Sequence, residues 1–212
     1  MVGHVSPSHH EALDEAFVSL GDTGPEFAGW LSNHGPMAAD ALIRLGRADA
    51  VPAWIHEYRA RLEPTPGVRW SIDEHEWREP LGDPSRLGDW LAHFHRHVHT
   101  SDWQDLLALW WPRLMSGAIA SATHGLIRTG HVVRTLRERV STDRLDELGR
   151  ALGYWAARWQ PLPGQAPPAG TTAAATALDL VPAMHVDGGA RTRIAHLNDV
   201  ADWTPAPADF AR

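Results

Sequence analysis

Histidine is the side chain with the most capacity for chemistry in this sequence. There are 14 histidines, no cysteine and no lysine. Thiolate catalysis, Fe–S clusters and cysteine-based zinc sites are therefore excluded, as is any lysine Schiff base. The densest group is HFHRHVHT, residues 93–100, with His93, His95, His97 and His99. On a helix, His93 and His97 share one face and His95 and His99 another, and i, i+4 spacing can place two imidazoles on one metal. The apolar stripe here is Leu87, Trp90, Leu91, Phe94 and Val98, which leaves His95 and His99 at its edge and His93 and His97 farther out. No Asp or Glu within the segment completes a ligand set. The segment reads as a solvated helix face, with adventitious metal capture as the alternative.

Two other places place histidine differently. His34, in LSNHGPMAADAL, stands at the start of a helix after a glycine-containing loop. A helix start favours the uncharged imidazole, the form that binds a metal. Helping to cap the helix is the competing role. In ASATHGLIRTGH, His124, Arg128 and His131 fall at i, i+4 and i+7, on one face of a helix. Polar groups on an apolar central helix are unfavourable unless paired or functional. His124 and His131 are about 10 Å apart along such a helix, whereas two nitrogens on one metal lie about 3 Å apart. At most one of them is an easy ligand. Arg128 between them suits an anionic substrate or a carboxylate, and a satisfied polar cluster between helices is the alternative. His185 and His196 lie in a weakly patterned tail, His56 and His75 on surface or loops, and His4, His9 and His10 near the solvated N-terminus.

The elements that must position these residues are helical. Residues 10–20 carry Leu13, Phe17 and Leu20 on one face, closed by Gly21. Residues 35–45 form a helix with Ser32 or Asn33 as N-cap and Pro36 in the first turn. Asp49 caps VPAWIHEYRARLE. Asp83-Pro84 opens a helix through LGDWLAHFHRHVH. Ser101 caps a helix in which Trp103, Leu106, Leu107, Trp110, Trp111 and Leu114 form a full stripe. Residues 117–140 form a central helix whose Gly, Ala, Ser and Thr residues let neighbouring backbones approach. Thr142 or Asp143 caps RLDELGRALGYWAARW. The fold class is all-α: residues 1–160 are a helical domain, and 161–212 are a Pro/Gly/Ala linker with a weakly structured tail that includes a short helix in RTRIAHLNDV.

The chain has 212 residues, suiting one domain, a net charge of −7 and no basic stripe. Nucleic acid is therefore not expected as the main partner. No apolar run is long enough for a membrane span, no signal peptide is read, and zero cysteine fits a reducing, cytoplasmic setting. No glycine-rich dinucleotide or phosphate loop occurs.

Four blocks together carry a resemblance: GPEFAGWLSNHGPMAADALIRLGR, REPLGDPSRLGDWL, WWPRLMSGAIASATHGLIRTGHVVRTL and LDELGRALGYWAARW. They resemble the questin oxidase-like family, typified by enzymes that oxidatively open hydroxyanthraquinone rings. The resemblance spans roughly residues 12 to 200. It implies an all-helical fold and a non-haem iron site built mostly from histidines, with a carboxylated lysine as a further ligand. Asn33-His34 matches the family's Asn-His motif and His124 the histidine of its central helix; His131 belongs to the same block, where some relatives carry another residue. Family members are usually much longer, with a second helical half that supplies more ligands, and this chain has no lysine to carboxylate. The expectation is a fragment, or a short member that binds metal differently or not at all.

The leading expectation is an oxidoreductase with Fe(II) on His34 and His124, and with His131 as a further metal-ligand candidate. A flat aromatic polyketide or quinone-like substrate would rest on tryptophans such as Trp30 and Trp111, with Arg128 stabilising negative charge on oxygen. NADPH enters only as an external reductant. The remaining ligands would come from His131, His185, His196 or Asp187, or from a complementing C-terminal half; a homo-oligomer is the other partner expectation. The competing classes are a non-catalytic helical binding or accessory protein and a metal-dependent hydrolase, the latter favoured by a free carboxylate near His34 and His124.

Overall fold

The computed structural model describes residues 7–161 and 187–196. The chain divides into two compact units, 1–160 and 161–212. The first contains α1 (Pro7–Ser19), a small hairpin of β1 (Glu26–Phe27) and β2 (Leu31–Ser32), α2 (Gly35–Arg44), α3 (Val51–Arg59), α4 (Leu87–Thr100), α5 (Trp103–Met115), α6 (His124–Glu138) and α7 (Thr142–Ala157). In the second, α8 (Ala190–Ala195) overlaps the short helix expected over 191–200 and begins one residue before it. The all-α class holds, and no helix among the described residues is long and apolar enough to cross a membrane.

At α2, α5 and α7 caps fall within a residue or two of their expected places, whereas Asp49 does not cap α3 and Asp83 caps the single turn Pro84–Arg86 ahead of α4. Asp102, rather than Ser101, begins α5, accepting the amide hydrogens of Gln104 and Asp105. Ser141 caps α7 by accepting from Arg144 N–H. Asn33 Oδ1 accepts the Gly35 amide at 2.9 Å, so Asn33 caps α2 from one residue farther out.

The central helix differs at its start. Its helical turns begin at His124, not at residue 117. Ser121, Ala122 and Thr123 have φ of 48°, 52° and 71°, a left-handed run that costs L-residues roughly 1–2 kcal/mol each. The small residues are needed for another reason: a Cβ on Gly117 would lie 2.3 Å from the Trp159 ring, and Trp155 Nε1 donates to the Gly117 carbonyl at 3.0 Å. Close approach to two indoles, not helix centrality, is what this stretch supplies.

Two apolar cores form. One joins α1, α2 and α3 through Leu13, Phe17, Leu20, Ile43, Val51 and Ile55. The other joins α4 to α7 through residues such as Trp90, Phe94, Trp110, Leu114, Leu152 and Trp155. In the second core α4 and α7 pack closely, because Gly149 and Gly153 of α7 lie against the α4 backbone: a Cβ at these positions would stand 3.3 Å from His95 N and 3.1 Å from Leu91 N. Between the two cores runs a polar seam. Asp14 accepts from the fully buried Arg144 at 2.7 Å, Ser32 meets Tyr154 at 2.7 Å, and Arg44 donates to Glu138 at 2.8 Å. Arg150 donates to the Leu20 and Gly21 carbonyls, and Arg158 to Glu26. These bonds fix the two helix groups in register, although Arg158 Nε and Arg128 Nη1 stay buried without a hydrogen bond among the described residues.

Candidate metal-binding site

The seam brings His34 and His124 together across 90 residues of sequence. Their Nε2 atoms are 2.9 Å apart, and the rings meet edge to face at 89°. The two helices run parallel. His34 and His124 face each other at their starts, Asp40 and His131 pair farther along at 2.7 Å, and Arg44 and Glu138 pair near their ends.

Each histidine is held by its own loop. Asn33, 1% exposed, donates from Nδ2 to the Gly24 carbonyl at 2.9 Å and to Thr23 Oγ1 at 3.3 Å, so the loop before His34 is pinned from inside. The His34 amide donates to the Tyr58 hydroxyl at 2.9 Å. Gly35 follows because a Cβ there would strike Leu20 Cδ1 at 2.7 Å. His124 repeats the pattern. Its Nδ1–H donates to the Ser121 carbonyl at 2.6 Å, and Gly125 follows because a Cβ would lie 2.8 Å from Trp155. Both histidines are thus His-Gly pairs at helix starts, with the glycine allowing the helix to seat. Tyr154 fastens the two loops to each other: its hydroxyl meets Ser32 Oγ at 2.7 Å and also reaches the Ser121 side chain. Burial pushes the Tyr154 hydroxyl above its usual pKa against the pull of those two serines, so it stays protonated.

The Nδ1 bond fixes the tautomer of His124. With its hydrogen on Nδ1, neutral His124 presents a lone pair at Nε2, and His34 Nε2–H donates to it. A bond from Nδ1–H to a carbonyl orients metal-ligating histidines. Two nitrogens bound at about 2.1 Å to one metal at a right angle lie about 3.0 Å apart, close to the observed spacing; with the His34 hydrogen moved to Nδ1, both Nε2 lone pairs are free for adjacent positions on one metal ion.

The other candidates lie elsewhere. His131 is not part of the pair; its Nδ1 is bound to Asp40 Oδ2, beside Arg134. Seven residues of helical rise carry it about 10 Å from His124. Burial alone would push Asp40 up, but hydrogen bonds from His131 and Arg134 and the charges of Arg134 and Arg44 hold it below the ordinary carboxylate range. Asp40 is committed, not a free carboxylate for a hydrolase. Arg128 is buried and donates to both oxygens of Glu147, at 2.6 and 2.8 Å. Its Nη1 makes no hydrogen bond among the described residues. Arg128 lines a cavity of about 410 Å³ whose walls include Pro25, Pro64, Pro66, Val68 and Leu91. Trp30 is 72% and Trp111 38% exposed. His185 lies outside the described residues; Asp187 and His196 belong to the second unit.

HFHRHVHT departs most from expectation. His93 is 1% exposed, against Trp90, Phe94 and Trp110, not on the outer face. Burial, then the neighbouring charges of His97 and Arg96, lower its pKa to about 4. His97 bonds to Glu74 at 3.1 Å. His95 and His99 both meet a carboxylate the local sequence does not contain, Asp146 of α7, and the three form a cluster with metal-ligand spacing.

No family model, curated protein or solved structure matches this chain.

Proposed function

We propose that this chain carries the two-histidine part of a non-haem iron centre, in an oxidoreductase that uses dioxygen on a flat, electron-rich aromatic of the hydroxyanthraquinone class. The observation that supports the reading is the His34–His124 pair: Nε2 atoms 2.9 Å apart, with His124 turned by its bond to Ser121. Neutral imidazoles suit Fe(II) among the borderline first-row ions. When bound, Fe(II) supplies the one-electron and dioxygen chemistry that no side chain of this sequence provides. The chain's own residues hold the ligands. Asn33 and Tyr58 fix the loop of His34, the Ser121 carbonyl orients His124, and Tyr154 ties the two loops.

Iron sites of this kind use about three protein ligands. The completing ligands come from a second helical polypeptide, and NADPH, where needed, acts as an external reductant. In this reading Arg128 contributes through Nη1 alone, as an anion-orienting donor, because Glu147 engages the rest of the guanidinium. Exposure of Trp30 and Leu31 at the hairpin tip beside Ser32 favours a second reading, a non-catalytic docking protein.

The test is anaerobic Fe(II) titration of the tag-free chain carrying Asp146→Asn, which silences the His95–His99–Asp146 cluster, followed by oxygen uptake with hydroxyanthraquinones. Weak Fe(II) binding that disappears in both His34→Ala and His124→Ala is expected, with little turnover until a C-terminal helical half is added. Fe(II) binding untouched by both substitutions rejects the site. Binding that depends on both histidines, without turnover under any complementation, favours the docking reading.

A further inference from the structure

We propose that His95, His99 and Asp146 form a second cation site, independent of the His34–His124 pair, that takes a borderline divalent ion such as Zn²⁺. His95 Nδ1 lies 3.0 Å and His99 Nε2 2.7 Å from the same oxygen, Asp146 Oδ1. The three ligating atoms all fall within 4.8 Å of one another. Without metal, His99 Nε2–H donates to Asp146 Oδ1, while His95 Nδ1 lies close to the same oxygen without a hydrogen bond. A cation among the three atoms would replace the His99 hydrogen and be met by two nitrogens and one anionic oxygen, a set that zinc takes with its fourth position left open.

The position of the cluster follows from the packing. His95 and His99 are one helical turn apart, so their rings rise from one face of α4. Asp146 stands 3 residues before Gly149, the glycine that lets α7 touch the backbone of α4 at His95. The carboxylate is therefore set against the histidines by a glycine-mediated helix contact, not by a flexible loop. Side-chain exposures of 63%, 33% and 29% for His95, His99 and Asp146 leave an ion an open route and the rings freedom to close on it. Two nitrogen donors in three favour Zn²⁺, Ni²⁺, Cu²⁺ or Co²⁺, whereas Mg²⁺ and Ca²⁺ require oxygen ligands. A bound ion would tie α4 to α7.

The experiment uses the full tag-free chain carrying His34→Ala and His124→Ala, so that the first pair is silent. Zn²⁺ is added in a calorimetric titration. One equivalent bound in the micromolar range is expected, weakened about tenfold or more by His99→Ala and by Asp146→Asn, unchanged by His97→Ala on the neighbouring face, and not displaced by equimolar Mg²⁺. Zn²⁺ should also raise the melting temperature of the parent and not of the Asp146→Asn variant. In the unsubstituted chain, Zn²⁺ should broaden or shift the ring signals of His95 and His99 in nitrogen-correlated spectra. Absence of binding, equal weakening by His97→Ala, or ring shifts confined to other histidines overturns the proposal.

Discussion

Replacing Tyr154 by Phe removes one oxygen atom from the seam and tests whether the two histidine loops share an anchor. Tyr154 is 1% and Ser32 7% exposed, and their hydroxyls are 2.7 Å apart. The ring itself stays packed, so no cavity forms. Ser32 Oγ is left buried without this partner, which costs about 1–3 kcal/mol. For a domain of this size each kcal/mol lowers Tm by about 2–4 °C, giving a fall of about 2–12 °C by calorimetry. Because Ser32 lies two residues before His34 and Ser121 supplies the carbonyl that orients His124, both loops loosen together. Fe(II) affinity should then fall about tenfold or more, the usual consequence of losing an outer-shell partner. Ser32→Ala, which removes the other member of the bond, should show the same pattern. A lowered Tm with unchanged Fe(II) affinity would show that the anchor does not reach the pair. An unchanged Tm would show that the bond makes no net contribution.

Two further outcomes are expected. Glu147→Gln leaves the Arg128 charge buried with weakened compensation and should destabilise the chain by about 3–5 kcal/mol in urea unfolding, whereas Arg128→Met with Glu147→Leu together should lose much less; equal losses would refute the charge argument. His93 has a folded pKa of about 4, below the unfolded 6.5, so the unfolded chain binds the extra proton: stability is unaffected by this group above about pH 6.5, declines as pH falls toward 4, and is lost in full below that. The total is about 2–4 kcal/mol at 1.36 kcal/mol per pKa unit, read as the difference between wild type and His93→Phe in urea titrations at pH 7, 5.5 and 4.5, which should flatten in the variant.

The helices were legible because their signals are local. The i, i+3, i+4 stripe of α5 and the Pro36, Asp83-Pro84 and Gly46 punctuation depend on neighbours within a turn or two. The convergence of His34 and His124 was legible for a related reason. The sequence puts His34 at a helix start and His124 as a polar residue within a helix over 117–140, and polar groups in apolar surroundings must be satisfied somewhere; that His124 also stands at a helix start is visible only in the structure. His131 could be separated from His124 by helical rise alone. What spacing could not supply was its partner, Asp40.

His93 shows where a single stripe fails. Leu87, Trp90, Leu91, Phe94 and Val98 mark the face of α4 that meets α7, and His93 lies away from it. Yet α4 is covered on a second side, where Trp110 of α5 closes over the His93 ring. A histidine there reads as exposed until the second covering layer is known. The same non-locality hid Asp146. Its partners are set by Gly149 and Gly153, whose missing side chains fix how deeply α7 sinks onto α4, and a helical stripe gives the face of a helix but not the register of its neighbour. Glycines spaced by four on α7 were visible in the sequence as a close-packing signal. Combined with i, i+4 histidines on another amphipathic helix, they allow a rule with predictive content: polar residues one turn before such a glycine are candidates for contact with the partner helix's edge. Asp146, three residues before Gly149, satisfies it with His95 and His99, whereas Arg150, three residues before Gly153, does not and turns to the Leu20 and Gly21 carbonyls. The two candidate metal sites therefore arise from different physics. The His34–His124 pair is made by helix starts meeting across a polar seam, and the His95–His99–Asp146 cluster by glycine-mediated contact inside one core. Loss of either leaves the packing that creates the other in place.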